Sequence, residues 1–275
     1  MRGIKKQFYF FHGVNYNVFM EINQAFAILS SAGDAHVARI ITEHFGAMSW
    51  FTVWRVARAL RRGVPVAKII HEKWFYGLPF YTNKYTLDPR PDTETLVESV
   101  LHDWRNVHNM RFLDLGTGTG CIGISIIRNM FGASGIGVDI SRHALRVAHK
   151  NAKKMSVCNN FDLMHGTFTH VNTNGEQFDV IVSNPPYIAR GDNRVNSAAK
   201  FDPEIALYVA DDGFAAYKQI ATHARPWIKR SGRIYVEIGV GMSRAVRAIF
   251  SDAGWKFVRA DKDLGGHIRV LVFSL

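Results

Sequence analysis

Arg111-Phe112-Leu113-Asp114-Leu115-Gly116-Thr117-Gly118-Thr119-Gly120 is the stretch that decides the fold of this chain. Its first half is an apolar run with the character of a buried strand. Its second half places glycine at every other position, and residues 120–130 then take up helical spacing. Glycines permit a tight turn and let a ligand approach bare backbone. The spacing is G-x-G-x-G and not the dinucleotide G-x-G-x-x-G, and no Lys-Ser or Lys-Thr pair follows, which argues against a P-loop. Gly135-Ile136-Gly137-Val138-Asp139 reads as a second strand. A carboxylate at that strand end, Asp139, can accept hydrogen bonds from both ribose hydroxyls, so the loop and Asp139 together predict a nucleoside site. Alone, the loop leaves a nicotinamide cofactor open.

The alternation continues downstream. Residues 142–155 read as a helix, 161–165 as a weaker third strand and 178–183 as a fourth. Residues 212–230 read as helical, Arg233-Ile234-Tyr235-Val236-Glu237 as a fifth strand, 242–253 as a helix, and 255–260 and 268–274 as two closing strands. The class is α/β: alternating strands and helices predict a mostly parallel sheet covered on both faces, with ligands at the carboxyl ends of its strands.

The fourth strand runs into Ser183-Asn184-Pro185-Pro186-Tyr187. Two prolines fix the backbone there, since each locks its own φ and offers no N–H. The turn presents an acceptor pair, the Asn184 side-chain oxygen and the Pro185 carbonyl, beside an aromatic wall at Tyr187. Two acceptors and a ring suit a planar –NH2 group. By itself the turn is equally a tight connection between strand and loop. Beside a nucleoside site it points to group transfer onto nitrogen.

Upstream the character changes twice. Residues 21–62 show three-to-four spacing without strand alternation, broken at Gly33-Asp34 and stopped by Gly63 and Pro65. Ile22, Phe26, Leu29, Val37, Ile40, Ile41 and Phe45 form the apolar positions, continued by Phe51, Trp54, Val56, Ala57 and Leu60, and Arg55, Arg58, Arg61 and Arg62 make the end basic. Between 66 and 88, Trp74, Phe75, Tyr76, Phe80, Tyr81 and Tyr85 read as a β-hairpin with Gly77-Leu78-Pro79 as its turn. The expected organisation is a stretch over residues 1–19 that reads as either an N-terminal extension or a mis-called start, a helical substrate-recognition domain over 20–70, a hairpin linker over 71–91 and a catalytic domain over 92–275.

At 275 residues the chain can bury a large core without a staple. Its two cysteines, Cys121 and Cys158, lack paired spacing and suit a reducing, cytoplasmic compartment. No apolar run reaches the roughly 20 residues of a membrane span. Among 12 histidines none shows H-x-x-x-H or Cys/His ligand spacing, so no metal is expected. The formal net charge of +11 suits a polyanionic neighbourhood; direct nucleic-acid binding is neither required nor excluded by it.

The glycine loop with Asn-Pro-Pro-Tyr resembles the S-adenosylmethionine-dependent amino-methyltransferases. Further residues make the resemblance narrower. Phe75-Tyr76-Gly77-Leu78-Pro79-Phe80, Pro89-Arg90-Pro91-Asp92-Thr93-Glu94, Phe201-Asp202-Pro203-Glu204-Ile205-Ala206-Leu207, Glu237-Ile238-Gly239, and Asp263-Leu264-Gly265-Gly266 with Arg269 are similar to the release factor glutamine methyltransferases, the HemK/PrmC family. The likeness spans residues 20–275 in order. The family usually shows Glu at the places of Asp92 and Asp202, and an acidic residue where His165-Gly166-Thr167-Phe168 stands here.

The resemblance implies a Rossmann-like class I methyltransferase sheet with an antiparallel last strand. It implies S-adenosyl-L-methionine held by Gly116, Thr117, Gly118, Thr119, Gly120, Asp139 and Asn184, with Thr167 taken as the adenine contact and Phe168 as its neighbour. It implies that Asn184, Pro185, Pro186 and Tyr187 bind the substrate, with Asn184, Pro185 and Tyr187 catalytic. The substrate implied is the Gly-Gly-Gln glutamine of class I peptide chain release factors, the helical domain contacting that partner. Two rivals are a ribosomal-protein glutamine methyltransferase and an adenine-amino methyltransferase on RNA or DNA. A binding module with a decayed site is a third, opposed by the intact glycine loop, Asp139 and Asn184. The roles of Arg90, Glu94 and Glu237 stay open at this stage.

Overall fold

The computed structural model describes residues 19–189 and 200–275, and they divide into two compact units between Ile70 and His71. Of the N-terminal stretch expected as an extension, residues 1–18 lie outside the described residues. Phe19–Met20 pairs antiparallel with Met48–Ser49.

The first unit holds α1 (Ile22–Ala32), α2 (Ala35–Phe45), α3 (Trp50–Arg61) and a short α4 (Val66–Ile70). Asp34 caps α2 by accepting from the Val37 N–H at 2.8 Å, which is why the chain breaks at Gly33-Asp34. Ser49 caps α3 through the Thr52 N–H. Leu29, Ile41, Val53, Val56 and Ala57 make the core. The spacing of 53, 56, 57 and 60 defines the inner face of α3, which turns Trp50, Phe51 and Trp54 outward; they are 59%, 69% and 56% exposed. Phe51 and Trp54 therefore leave the apolar face to which the sequence pattern assigned them.

The second unit opens with a hairpin, β1 (Glu72–Phe75) and β2 (Leu78–Tyr81). Its turn is Tyr76-Gly77, both at positive φ (48° and 72°), the two-residue form that matches strand twist. The turn thus falls one residue earlier than the sequence reading, and Leu78 and Pro79 belong to β2. Phe75 and Phe80 are buried in the core of this unit. Next come α5 (Pro91–Trp104), with Pro91 in its first turn, β3 (Arg111–Leu115), α6 (Cys121–Asn129), β4 (Ser134–Asp139), α7 (Arg142–Lys154), β5 (Phe161–His165) and β6 (Phe178–Ser183). After them follow α8 (Ala215–His223), β7 (Ile228–Glu237), α9 (Ser243–Asp252), β8 (Lys256–Lys262) and β9 (Ile268–Ser274). The helix expected over 212–230 ends at His223, because Pro226 cannot continue it, and the chain turns through Arg225–Trp227 into an earlier, longer β7.

Seven strands form one sheet in the order β8-β9-β7-β6-β3-β4-β5. β9 runs antiparallel to both neighbours, and the pairings from β7 to β5 are parallel. Side chains alternate across the sheet. Phe112, Val180 and Val182 pack on one face with α5 and α6, while Leu113, Ile181 and Val236 pack on the other with α8 and α9. Strand β4 carries glycines because rings lie over it. A Cβ on Gly135 would fall 2.5 Å from Phe112, and one on Gly137 2.7 Å from Phe161. The strand order reverses between β3 and β6, the switch point where open α/β sheets bind ligands.

Candidate active site

A cavity of about 410 Å³ lies at the carboxyl ends of β3, β4, β5 and β6, within the 300–1,000 Å³ range of small-molecule sites. Its floor is the glycine loop. Gly116, Gly118 and Gly120 all have positive φ, and the Gly116 and Thr117 N–H groups both donate to the Val138 carbonyl at 2.8 and 2.9 Å. Beneath the loop, fully buried Asp114 accepts from the Thr117 hydroxyl at 2.7 Å and the Gly123 N–H at 3.3 Å. Burial pushes this carboxyl up to about 7 against those two hydrogen bonds, with the Asp139 charge adding to the rise.

Asp139 stands at the end of β4 in the cavity wall. One carboxylate oxygen accepts from the Gly118 N–H at 2.9 Å and the other from the Ser141 N–H at 2.8 Å, which fixes the plane of the group. Burial raises its pKa, opposed by the bonds from Ser141 and Gly118 and by the charge of His165.

Gly116, Thr117, Gly118 and Thr119 line the cavity, as do Gly166, Thr167, Phe168 and Thr169 after β5. The Phe168 ring abuts the loop: a Cβ on Gly116 would touch it at 3.5 Å. Thr167 hydrogen-bonds Thr169 and accepts from the His170 N–H, so its hydroxyl is engaged in the local turn. Gly120 does not line the cavity. A side chain there would meet Ile124 at 3.0 Å and Ala148 at 3.3 Å, so this glycine serves the close seating of loop on helix.

At the end of β6, Ser183 donates to the Leu115 carbonyl at 2.7 Å and ties the two switch-point strands together. Asn184 and Pro186 follow in the cavity wall, whereas Pro185 and Tyr187 lie outside its lining. The Asn184 Nδ2 donates to Thr93 Oγ1 at 3.0 Å, and among the described residues nothing donates to its Oδ1. Tyr187 packs against Gly239, where a Cβ would fall 3.1 Å from its ring, and burial raises its hydroxyl to about 12.

The segment before α5 supplies the rest of the wall. Thr86, Asp88, Arg90 and Thr93 line the cavity, and Thr82 donates to Asp88 at 2.6 Å. Arg90 pairs with Asp202 at 3.1 Å, so the two segments 89–94 and 201–207 meet. Glu94 is not among the residues lining the cavity; it accepts from the Tyr76 N–H at 2.7 Å, holding the hairpin turn to α5. Asn151 on α7 was not singled out in the sequence; it bridges Tyr81 to the Thr119 carbonyl and so clamps hairpin and glycine loop together. Glu237, ending β7, is 2% exposed and lies under Thr93 and Asn184. Among the described residues no group of His, Cys, Asp and Glu could hold a metal, and no helix is long and apolar enough to cross a membrane.

The residues present fit S-adenosylmethionine. Bare backbone at Gly116 opens the cradle under Phe168, and Asp139 offers a fixed carboxylate for a ribose diol. Comparison with known proteins agrees. A family model described as "Methyltransferase domain" matches residues 106–240. The release factor glutamine methyltransferase of Agrobacterium fabrum is 39% identical over 80% of this chain and 78% of its own length. That of Caulobacter vibrioides is 38% identical over 77% and 73%. The hMettl16 catalytic domain, solved in complex with a MAT2A 3'UTR hairpin, shares the fold: TM-score 0.59, 15% identity, 72% of this chain and 76% of that one. With a glycine loop, a fixed carboxylate and an oriented side-chain amide meeting at one switch point, and with 38–39% identity over most of its length to these relatives, this chain belongs to the release factor glutamine methyltransferase family.

Proposed function

We propose that this chain transfers a methyl group from S-adenosyl-L-methionine to the side-chain amide nitrogen of the Gly-Gly-Gln glutamine in class I peptide chain release factors. The observation that carries the reading is the Asn184 amide, held by Thr93 with no described residue donating to its oxygen, in the wall of the cavity that the glycine loop floors. When bound, the cofactor supplies an electrophilic methyl on a sulfonium. Gly116, Thr117, Gly118, Thr119, Asp139 and Thr167 would hold it, with Phe168 beside the loop.

An amide nitrogen is a weak nucleophile because its lone pair is delocalised into the carbonyl. Asn184 Oδ1 and the Pro185 carbonyl would accept its two hydrogens, orient it and raise its electron density. Acceptors aimed in advance at a nitrogen gaining positive charge lower the barrier without reorganising. The nitrogen would gain the methyl carbon while the methyl–sulfur bonding pair stays with the departing thioether, and it would then lose one proton to solvent. Tyr187 stiffens the turn from behind, where Gly239 leaves room for its ring.

Incubating the purified chain with cofactor and a release factor, then sequencing the Gly-Gly-Gln peptide by mass spectrometry, tests the reading. A methylated glutamine is expected. An unmodified glutamine alongside labelled nucleic acid rejects it. Asn184→Ala is expected to abolish transfer while calorimetry still shows cofactor binding.

A further inference from the structure

Thr93 lies in the first turn of α5, 91 positions from Asn184 in sequence, and is 2% exposed. Its hydroxyl has one hydrogen to give and two lone pairs to receive. One lone pair takes the Asn184 Nδ2–H. The hydroxyl hydrogen therefore has to go elsewhere. Were it to point at Asn184, it would bond Oδ1, turn the amide over and present –NH2 to an incoming –NH2, donor against donor.

Glu237 is the acceptor placed to prevent this. Its carboxyl is buried at 2% exposure beneath Thr93 and Asn184, and both side chains favour its charged form, Thr93 the more strongly. Its Oε2 has no hydrogen-bond partner among the described residues. A buried acceptor without a full set of donors is costly to a fold, so its retention calls for a use. The Tyr217 hydroxyl donates to the Glu237 carbonyl at 2.9 Å and fixes the strand end that carries it.

Resting on the functional reading above, we propose that Thr93 and Glu237 are positioning residues for the methyl acceptor. Thr93 Oγ1 captures the Asn184 Nδ2–H, so Oδ1 faces the cavity, and the Glu237 carboxyl draws the Thr93 hydroxyl hydrogen away from Asn184. Neither residue needs to touch the reacting atoms. Their effect is to decide which end of the Asn184 amide meets the glutamine.

Three substitutions test the relay. Thr93→Val keeps the shape and removes the hydroxyl; Thr93→Ser keeps the hydroxyl; Glu237→Gln offers an –NH2 that can donate to Thr93 and send its hydrogen toward Asn184. Methyl transfer to a release factor is read as kcat and KM, cofactor affinity by calorimetry, and folding by thermal melting. Thr93→Val and Glu237→Gln are each expected to lower kcat on the order of 10²-fold, the scale of a misdirected reacting group. Cofactor affinity and melting temperature should stay near wild type, Thr93→Ser should recover most of the rate, and the double variant should lose little more than either single one. Wild-type kcat in Thr93→Val, an equal loss in Thr93→Ser, or a loss of cofactor affinity matching the loss of rate would overturn the proposal. Should Thr93→Val fail to fold, Glu237→Gln carries the same test. A wild-type chain that leaves glutamine unmethylated would overturn the functional reading and this inference together, whereas an active wild type with an active Thr93→Val overturns the inference alone.

Discussion

In the function proposed above, the chemistry turns on the orientation of one amide. Asn184 is held by a neutral hydroxyl with a buried carboxyl behind it, so the charge state of Glu237 bears on the rate. Burial pushes Glu237 up to about 7, against the Thr93 hydrogen bond and the Arg269 charge, with the Asp92 charge adding to the rise and Asn184 opposing it. Those neighbours come from α5, β9 and the turn after β6. Tyr187 is raised to about 12 and Arg269 is raised further above its already high range, so neither titrates near neutrality. A protonated Glu237 no longer draws the Thr93 hydrogen as strongly. The saturated rate should therefore fall as pH drops through about 7, and Glu237→Gln should lack that limb. Asp114 also rises to about 7, but under the glycine loop, so its titration belongs to cofactor affinity and not to kcat. Matching pH–kcat profiles in wild type and Glu237→Gln would reject the assignment.

At the scale of elements, β4 shows how packing and site are coupled. Its glycines let α6 and the rings of Phe112 and Phe161 close over the sheet. A Cβ at Gly137 would come within 2.7 Å of Phe161, 2.9 Å of the Thr117 hydroxyl oxygen and 3.0 Å of Leu163. Gly137→Ala should cost about 1–3 kcal/mol in urea unfolding, the usual penalty for overpacking a core. Because Thr117 also bonds Asp114, calorimetry should show weaker cofactor binding in the same variant. An unchanged unfolding midpoint would show that the rings give way freely. Further along the sheet, Asp103 of α5 accepts from Arg233 and Tyr235 of β7 and Arg259 of β8, at 2.6 to 2.7 Å. Burial would raise that carboxyl, but the bonds from Arg259, Tyr235, Arg233 and His102 bring it down to about 2. This cluster fixes α5 to the sheet, and α5 in turn carries Thr93.

Across the whole molecule, none of the described residues of the helical unit lines the cavity. It exposes Trp50, Phe51 and Trp54 on one helix with Arg55, Arg58 and Arg61, followed by Arg62 at its C-cap, and the Arg58 guanidinium lies 5.5 Å from the Trp54 ring. On the function proposed above, this surface would be the contact for the body of the release factor, since large aromatics and arginines act as anchors. Trp54→Ala should raise KM for the intact release factor by roughly 10-fold, the weight of a moderate hot spot. A short Gly-Gly-Gln peptide should be methylated with unchanged KM. An equal rise for both substrates would place the effect in the catalytic unit instead.

The sequence by itself determined the α/β class, the glycine loop, the acidic end of β4 and the Asn-Pro-Pro-Tyr turn, because each is written in neighbouring residues whose spacing follows one strand or one turn. It also carried the family likeness. It did not determine the Tyr76-Gly77 turn or the outward face of α3, where aromatic residues suit either side until the core has chosen. The segment 89–94 was legible as a signature and silent as to role. Only the tertiary structure set Arg90 on Asp202, Glu94 on the hairpin and Thr93 on Asn184. Those partners are 112, 18 and 91 positions apart, and no periodicity links residues that meet only when strands from distant parts of the chain end at one sheet edge.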